Sequence, residues 1–248
     1  MDVERGRIAA TDGTELAYAR RAGKGPMILF LPGFRSDMEG SKATALDAWA
    51  AREGRALLRF DYAGHGISGG RFEDGTIGRW ADDAATVFDR LADRKVVLVG
   101  SSMGGWIALL LARRFPDRIA GLVGIAAAPD FTEALLWPAL SFEQRAALMT
   151  DGRIALPSEY GEPTPITRAL IEDGRRQLVL ETPIPLHCPV RLLHGQRDAE
   201  VPWELSLHVA ERIAGDDVRI HLVKDGDHRL SRPSDLALMI TTVTEVAG

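Results

Sequence analysis

The sequence predicts an α/β fold, with a mostly parallel central sheet, helices on both faces and a small helical cap inserted into it. Three observations carry that expectation. Short near-continuous apolar runs alternate with amphipathic stretches along the 248 residues, as strands covered on both faces alternate with crossover helices. A hydrophobic content of 46% is ample for one large core. Only one connection is long, from about Pro129 to Pro189, in a chain whose other connections are short.

Taken in order, "RGRIAATDG" and "TELAYARRAG" alternate around Asp12-Gly13 and predict an antiparallel hairpin. The pattern then changes to "PMILFLPG", "RALLRFDYAG", "KVVLVGSS", "IAGLVGIAAA", "PVRLLHG" and "VRIHLVKDG", which predict strands buried on both faces. Between them "SKATALDAWAARE", "TIGRWADDAATVFDRLAD", "GGWIALLLARRF" and "WELSLHVAERIAG" predict crossover helices. The long connection has helical pieces and Pro-rich punctuation at "PSEYGEPTP" and "ETPIPLHCP". The expectation is one domain over residues 1–248, with roughly 130–188 as the cap.

A net charge of -5 from interspersed acids and bases, without a Lys/Arg cluster, argues against a nucleic-acid partner. The start "MDVERGRIAATDG" has no apolar core of a signal peptide, and no segment approaches about 20 uninterrupted apolar residues. The expectation is a cytoplasmic protein with no integral membrane segment. The one cysteine, Cys188, stands before a predicted strand and is read as structural.

Gly100-Ser101-Ser102-Met103-Gly104 fits G-x-S-x-G where a predicted strand meets a predicted helix. A sharp turn there would strain the central residue, and glycines two residues to either side remove clashing Cβ atoms. Ser102 is then the candidate nucleophile, its hydroxyl pushed out. The alternative is an ordinary Gly/Ser-rich helix entry that binds anions.

A serine needs a base, and the base needs a partner that fixes its tautomer. Where a nucleophile sits on such a strand-to-helix turn, the chain order is serine, acid, histidine, which removes His65. His208 falls in a helix pattern, His221 in a strand pattern, and His187 and His194 precede the better acid. His228, in "KDGDHRLS" after the last strand, is the candidate base. Position favours Asp198 in "LLHGQRDAEVPW" as the acid, with Asp130 one strand earlier as the competitor; Asp61 precedes the serine and is expected to pin its own turn. The backbone N–H groups of Met103 and Phe34 are the candidate oxyanion donors.

With "FLPGFRSDMEGSKA", "LRFDYAGHGISGG", "LVGSSMGGW", "CPVRLLHGQRDAEVPW" and "GDHRLS" in this order, the chain resembles the α/β-hydrolases. Within them it is similar to the palmitoyl-protein thioesterase and acyl-glucuronide esterase branch. The resemblance implies Ser102, Asp198 and His228 as a catalytic triad that needs no metal or organic cofactor. It also implies a small-molecule or acyl-protein ester or thioester as substrate. The alternatives are a carbon–carbon bond hydrolase on the same triad and a non-catalytic ligand-binding protein. Of the apolar cap residues Phe131, Leu135, Leu136, Trp137, Leu140, Phe142, Leu148 and Met149, about half are expected to glue the cap down and the rest to line a slot beside Ser102.

Overall fold

The computed structural model describes residues 3–157 and 162–248; the centre of "PSEYGEPTP", from Ser158 to Gly161, lies outside the described residues. The elements run β1 (Val3–Ala9), β2 (Glu15–Arg21), β3 (Lys24–Leu31), α1 (Ser41–Glu53), β4 (Arg55–Phe60), α2 (Ile77–Leu91), β5 (Val96–Ser101), α3 (Met103–Arg114) and β6 (Ile119–Ile125). The long connection follows, and then β9 (Val190–Gly195), α7 (Glu204–Arg212), β10 (Val218–Val223) and α8 (Pro233–Ala247). Eight strands form one sheet in the order β1-β2-β4-β3-β5-β6-β9-β10. β1 and β2 pair antiparallel, as do β2 and β4, and every pairing from β4 to β10 is parallel.

The period of two along each strand sorts side chains into two cores. Met27, Leu29 and Leu31 of β3 and Val96 and Leu98 of β5 join the core under α2, α3 and α7, with Trp80, Phe88 and Trp106 among its largest members. Ile28 and Phe30, with Val97 and Val99, face the opposite core of Leu46, Trp49, Met239 and Val243 under α1 and α8. Continuous apolar runs are therefore the signature of strands used on both faces. β10 departs from this expectation, because it is the sheet edge: most of its residues are partly exposed, and Leu222 faces solvent.

The connection from β6 to β9 carries a five-residue π-helical turn at Thr132–Leu136, continued by α4 (Trp137–Ala139), then α5 (Phe142–Asp151), the antiparallel pair β7 (Arg153–Leu156) and β8 (Thr164–Thr167), and α6 (Arg168–Gly174). It is fastened to the sheet domain at several points. The Trp106 indole donates to the Gln177 carbonyl (3.0 Å), Asp173 accepts the Gly78 N–H (2.6 Å), and the Arg35 guanidinium donates to Glu162 O and Thr164 Oγ1 (2.8 Å each).

The close approach of α3 to the sheet requires glycine at position 104, where a Cβ would fall inside the Leu31 carbonyl. Backbone cannot yield there. Gly152 instead needs glycine only for its φ of 79°, with open space around it. Gly104→Ala should therefore prevent folding or lower stability by more than 4 kcal/mol, whereas Gly152→Ala should cost about 1 kcal/mol. Urea unfolding of both variants is the measurement; similar midpoints would contradict this packing.

Candidate functional site

Four loops meet at the carboxyl ends of the parallel strands, where ligands of open α/β sheets bind. Ser102 stands between β5 and α3 with φ 53° and ψ -119°. That conformation costs a non-glycine residue about 1–3 kcal/mol, and its surroundings hold it. Ser102 N–H donates to Ile125 O (2.9 Å) across to β6, and its carbonyl accepts from Gly105 N (2.8 Å) and Ala128 N (3.1 Å). At Gly100 a Cβ would run into the Gly104 carbonyl, so the glycines flanking the turn are there for the expected reason. Gly105 also lies close, but its crowding comes from Ala127 in the loop after β6.

Ser102 Oγ lies 3.1 Å from His228 Nε2, and His228 Nδ1 lies 2.7 Å from Asp198 Oδ2. The carboxylate takes the Nδ1 proton as its partner, which leaves Nε2 as the acceptor for the serine hydroxyl. Asp198 is fully buried as a side chain, and His228 is mostly so. The other carboxylate oxygen accepts from the N–H groups of Glu200 (2.9 Å) and Val201 (2.8 Å). Burial pushes the Asp198 carboxyl up, but its hydrogen bonds from His194, His228 and Val201 outweigh burial and hold it well below the usual carboxylate range.

His194 is the residue that sequence reasoning passed over. Fully buried at the end of β9, it approaches Asp198 Oδ2 and Val201 O through Nε2 (3.1 Å each), and its Nδ1 lies 2.7 Å from Ser206 Oγ on α7. With the Ser206 hydroxyl donating, Nε2–H becomes a second imidazole donor to the acid. Its signal was in the spacing His194-x-x-x-Asp198, a histidine closing the same strand that delivers the carboxylate.

The loop after β3 packs against Ser102, with a Cβ on Gly33 standing 3.4 Å from Ser102 Cβ. Among the described residues, none of the backbone hydrogen bonds that link loops, turns and caps uses the N–H of Phe34 or Met103. Phe34 packs edge-on against Phe72, Trp80 and Phe131. Asp61 pins turns as expected, accepting from Met38 N (2.7 Å) and Ile67 N (2.9 Å). His65 is buried, with Nδ1 3.3 Å from Ala63 O, and Nε2 accepts the Arg35 N–H at 3.3 Å.

Asp130, the competing acid, is turned to a different task. Its two oxygens accept Val179 N (2.9 Å) and Leu180 N (3.0 Å), tying the returning end of the long connection to the end of β6. His208 sits on α7 beside Arg212, and His221 lies on the edge strand β10. Cys188, half-buried two residues before β9, has its thiol pushed up by burial. Among the described residues no group of three or more His, Cys, Asp or Glu is arranged to hold a metal ion, and no helix is long and apolar enough to cross a membrane.

The eight apolar cap residues, about half of them expected to line a slot and the rest to fasten the cap, fall into three groups. Leu140 and Leu148 are buried in the main core, while Phe142 (81% exposed) and Met149 (37%) face solvent. Phe131, Leu135, Leu136 and Trp137 are half-buried, with Phe131 against Phe34 and Trp106 and with the guanidinium groups of Arg175 and Arg145 over the Trp137 ring. Phe142 and Met149 lie seven residues apart on α5, so one helical face turns both outward.

The fold and this site have their counterpart among known proteins. The chain belongs to the α/β-hydrolase fold family, whose model matches residues 26–152, and is a hydrolase of that family. Among its relatives is the mitochondrial palmitoyl-protein thioesterase ABHD10 of Mus musculus, 40% identical over 233 residues that cover 93% of this chain and 78% of that protein. The Homo sapiens protein of the same name is 38% identical over 95% of this chain and 77% of its own length. The crystal structure of a putative hydrolase from Agrobacterium vitis S4 superposes with a TM-score of 0.97 at 43% identity, covering all of both chains. The α/β hydrolase domain-containing protein 10 from mouse superposes with a TM-score of 0.90 at 38% identity, covering 98% of each chain.

Burial lowers the pKa of His65 from 6.5 to about 4, against a weaker upward pull from the Ala63 carbonyl and the charge of Asp37. Between those two pH values the unfolded chain binds a proton that the folded chain refuses, so this group makes stability fall as pH falls. The slope is at most about 1.4 kcal/mol per pH unit. His65→Gln lacks that titration, so its unfolding free energy should vary less steeply than the wild type's between pH 6.5 and 4. Denaturant titrations across that range measure it; parallel curves would contradict the burial of a neutral imidazole.

Proposed function

We propose that this chain is a serine hydrolase that cleaves carboxylic esters or thioesters through an acyl-enzyme, with Ser102, His228 and Asp198 as its catalytic triad. The observation that carries the reading is the continuous relay of 3.1 Å and 2.7 Å from a strained, outward-pushed serine to a buried carboxylate. The thioesterase named among its relatives supports the thioester side of the substrate class.

The geometry leads to the chemistry in two steps. His228 Nε2 takes the Ser102 hydroxyl proton as Oγ attacks the acyl carbon, and the charge that develops on the carbonyl oxygen is met by the N–H groups of Met103 and Phe34. The imidazolium formed is stabilised by Asp198, which stays ionised because its own donors hold it so. It then protonates the departing alkoxide or thiolate as the carbonyl re-forms, leaving the acyl group on Oγ. Water, deprotonated by the same Nε2, attacks that ester; the carboxylic acid leaves and the proton returns to Oγ.

We read the long connection, residues 130–188, as a cap over this site, with Phe131, Leu135, Leu136 and Trp137 supplying the apolar contacts that an acyl chain needs. An acyl-protein or small-molecule acyl donor with an aliphatic chain fits such a surface.

A fluorophosphonate probe should label Ser102, and Ser102→Ala should abolish labelling without unfolding the protein; label retained at Ser101 would refute the assignment. Asp198→Asn should lower kcat by about 10⁴, as loss of the orienting acid does elsewhere, whereas Asp130→Asn should lower stability and change kcat far less. The reverse ranking would move the acid one strand earlier. In a series of p-nitrophenyl esters from two to sixteen carbons, kcat/KM should rise about fourfold per buried methylene, roughly 0.8 kcal/mol each, until the apolar surface is covered. A maximum at acetate would exclude fatty-acyl substrates.

A further inference from the structure

The turn that carries Phe34 is not in the conformation that its residues favour. Ser36 N–H closes it onto Gly33 O at 3.1 Å, and Arg35, its third residue, has φ 57°. That position with positive φ is suited to glycine, and a non-glycine residue there relaxes by flipping the peptide before it. Such a flip would turn over the Phe34–Arg35 peptide and loosen the turn whose closing bond, Ser36 N–H to Gly33 O, holds the Gly33–Phe34 peptide that carries the Phe34 N–H. What opposes it is an imidazole that takes no part in proton transfer.

We propose that His65 is a positioning residue for the oxyanion donor, its Nε2 accepting the Arg35 N–H and thereby holding the Phe34 turn in the strained form that presents the Phe34 N–H to the reaction. The proposal rests on the reading of Phe34 as a donor and adds to it a named cause of that donor's orientation. The imidazole is itself fixed from behind. Nδ1 lies 3.3 Å from the Ala63 carbonyl, which also accepts the Trp80 indole N–H (3.1 Å), and Ala63 N–H donates to Asp83 (2.9 Å). Trp80 and Asp83 are buried on α2. A donor at Nδ1 makes Nε2 an acceptor, so the tautomer that α2 and Ala63 impose is the one that the Arg35 N–H requires. The rings of Tyr62, Phe72 and Trp80 pack edge-on around the imidazole at 5.1–5.6 Å and bury it.

The charged groups that bear on this contact are few. Asp37 acts on the imidazole from the loop after β3, Asp83 stands behind Ala63, and the Arg35 guanidinium is turned away to Glu162 O and Thr164 Oγ1. The Arg35 side chain thus straps the turn to the long connection, while His65 holds the Phe34–Arg35 peptide within it.

The test compares substitutions by where they place an acceptor. In His65→Gln, Oε1 can stand where Nε2 stood; in His65→Asn the oxygen stands near Nδ1; His65→Leu has none. With a p-nitrophenyl ester, His65→Leu and His65→Asn should lose about 10- to 100-fold in kcat, the scale of a misplaced catalytic group, with KM within about threefold. His65→Gln should stay within about threefold of wild type in both. Adding Arg35→Gly to His65→Leu makes positive φ free of strain and should recover several-fold in kcat. Should His65→Leu fail to fold, the Gln and Asn pair decides. Equal losses in Gln and Asn, or kcat unchanged in Asn while only its melting temperature falls, would overturn the positioning role. A wild type that labels at Ser102 yet turns over no ester or thioester would instead overturn the functional reading, and the proposal with it.

Discussion

The backbone at Ser102 is the constraint on which the rest of the molecule depends. A φ of 53° with ψ -119° is a conformation that a serine leaves unless everything around it is fixed. Here the fixing is distributed. β6 receives the Ser102 N–H, the loop after β6 donates to its carbonyl through Ala128, and α3 lies so close to the end of β3 that position 104 tolerates no side chain. The two cores on either face of β3 and β5 hold that turn rigidly at the centre of the sheet.

The groups around the serine are held by the same means, buried imidazoles and backbone amides rather than exposed ion pairs. On the acid side, Asp198 receives two imidazoles and two amide N–H groups, and Ser206 on α7 orients the second imidazole. Such charge-assisted bonds in a dry setting are about twice as strong as neutral ones, and they keep the carboxylate in one plane. On the opposite side, α2 acts through Ala63 and His65 on the loop after β3. The proposed relay and the proposed donor loop are therefore braced by different helices, α7 and α2. Asp130 has a third role, clamping the end of the long connection to the end of β6.

Much of the architecture was legible in the sequence because strands buried on both faces write themselves as apolar runs, and the residues of the proposed site follow those runs: Phe34 after β3, Ser102 after β5, Asp198 after β9 and His228 after β10. Chain order and local pattern together then chose one of six histidines. The parts that were not legible depend on tertiary partners. His194 was set aside for preceding the acid, yet a side chain at the end of a strand can turn back onto a residue four positions on. Helix α8 went unread because Ile240, Thr241, Thr242, Val243 and Thr244 disfavour helix locally, and it forms because Met239 and Val243 bury against the sheet. The β7–β8 pair was hidden by its four-residue strands and by Pro165. The outward face of α5 was hidden because an apolar residue in an amphipathic stretch carries no mark of whether a surface awaits it.

The central claim, that acyl groups pass through Ser102, is tested most directly by trapping the covalent intermediate. Rapid acid quench of the wild-type protein with a medium-chain acyl thioester, followed by tryptic digestion, isolates the peptide from Val96 to Arg113, which holds both Ser101 and Ser102. Fragmentation should place one acyl group on Ser102 within the first turnover, lost again on longer incubation. Turnover without any adduct on this peptide, or with the acyl group on Ser101 or on Cys188, would contradict the account.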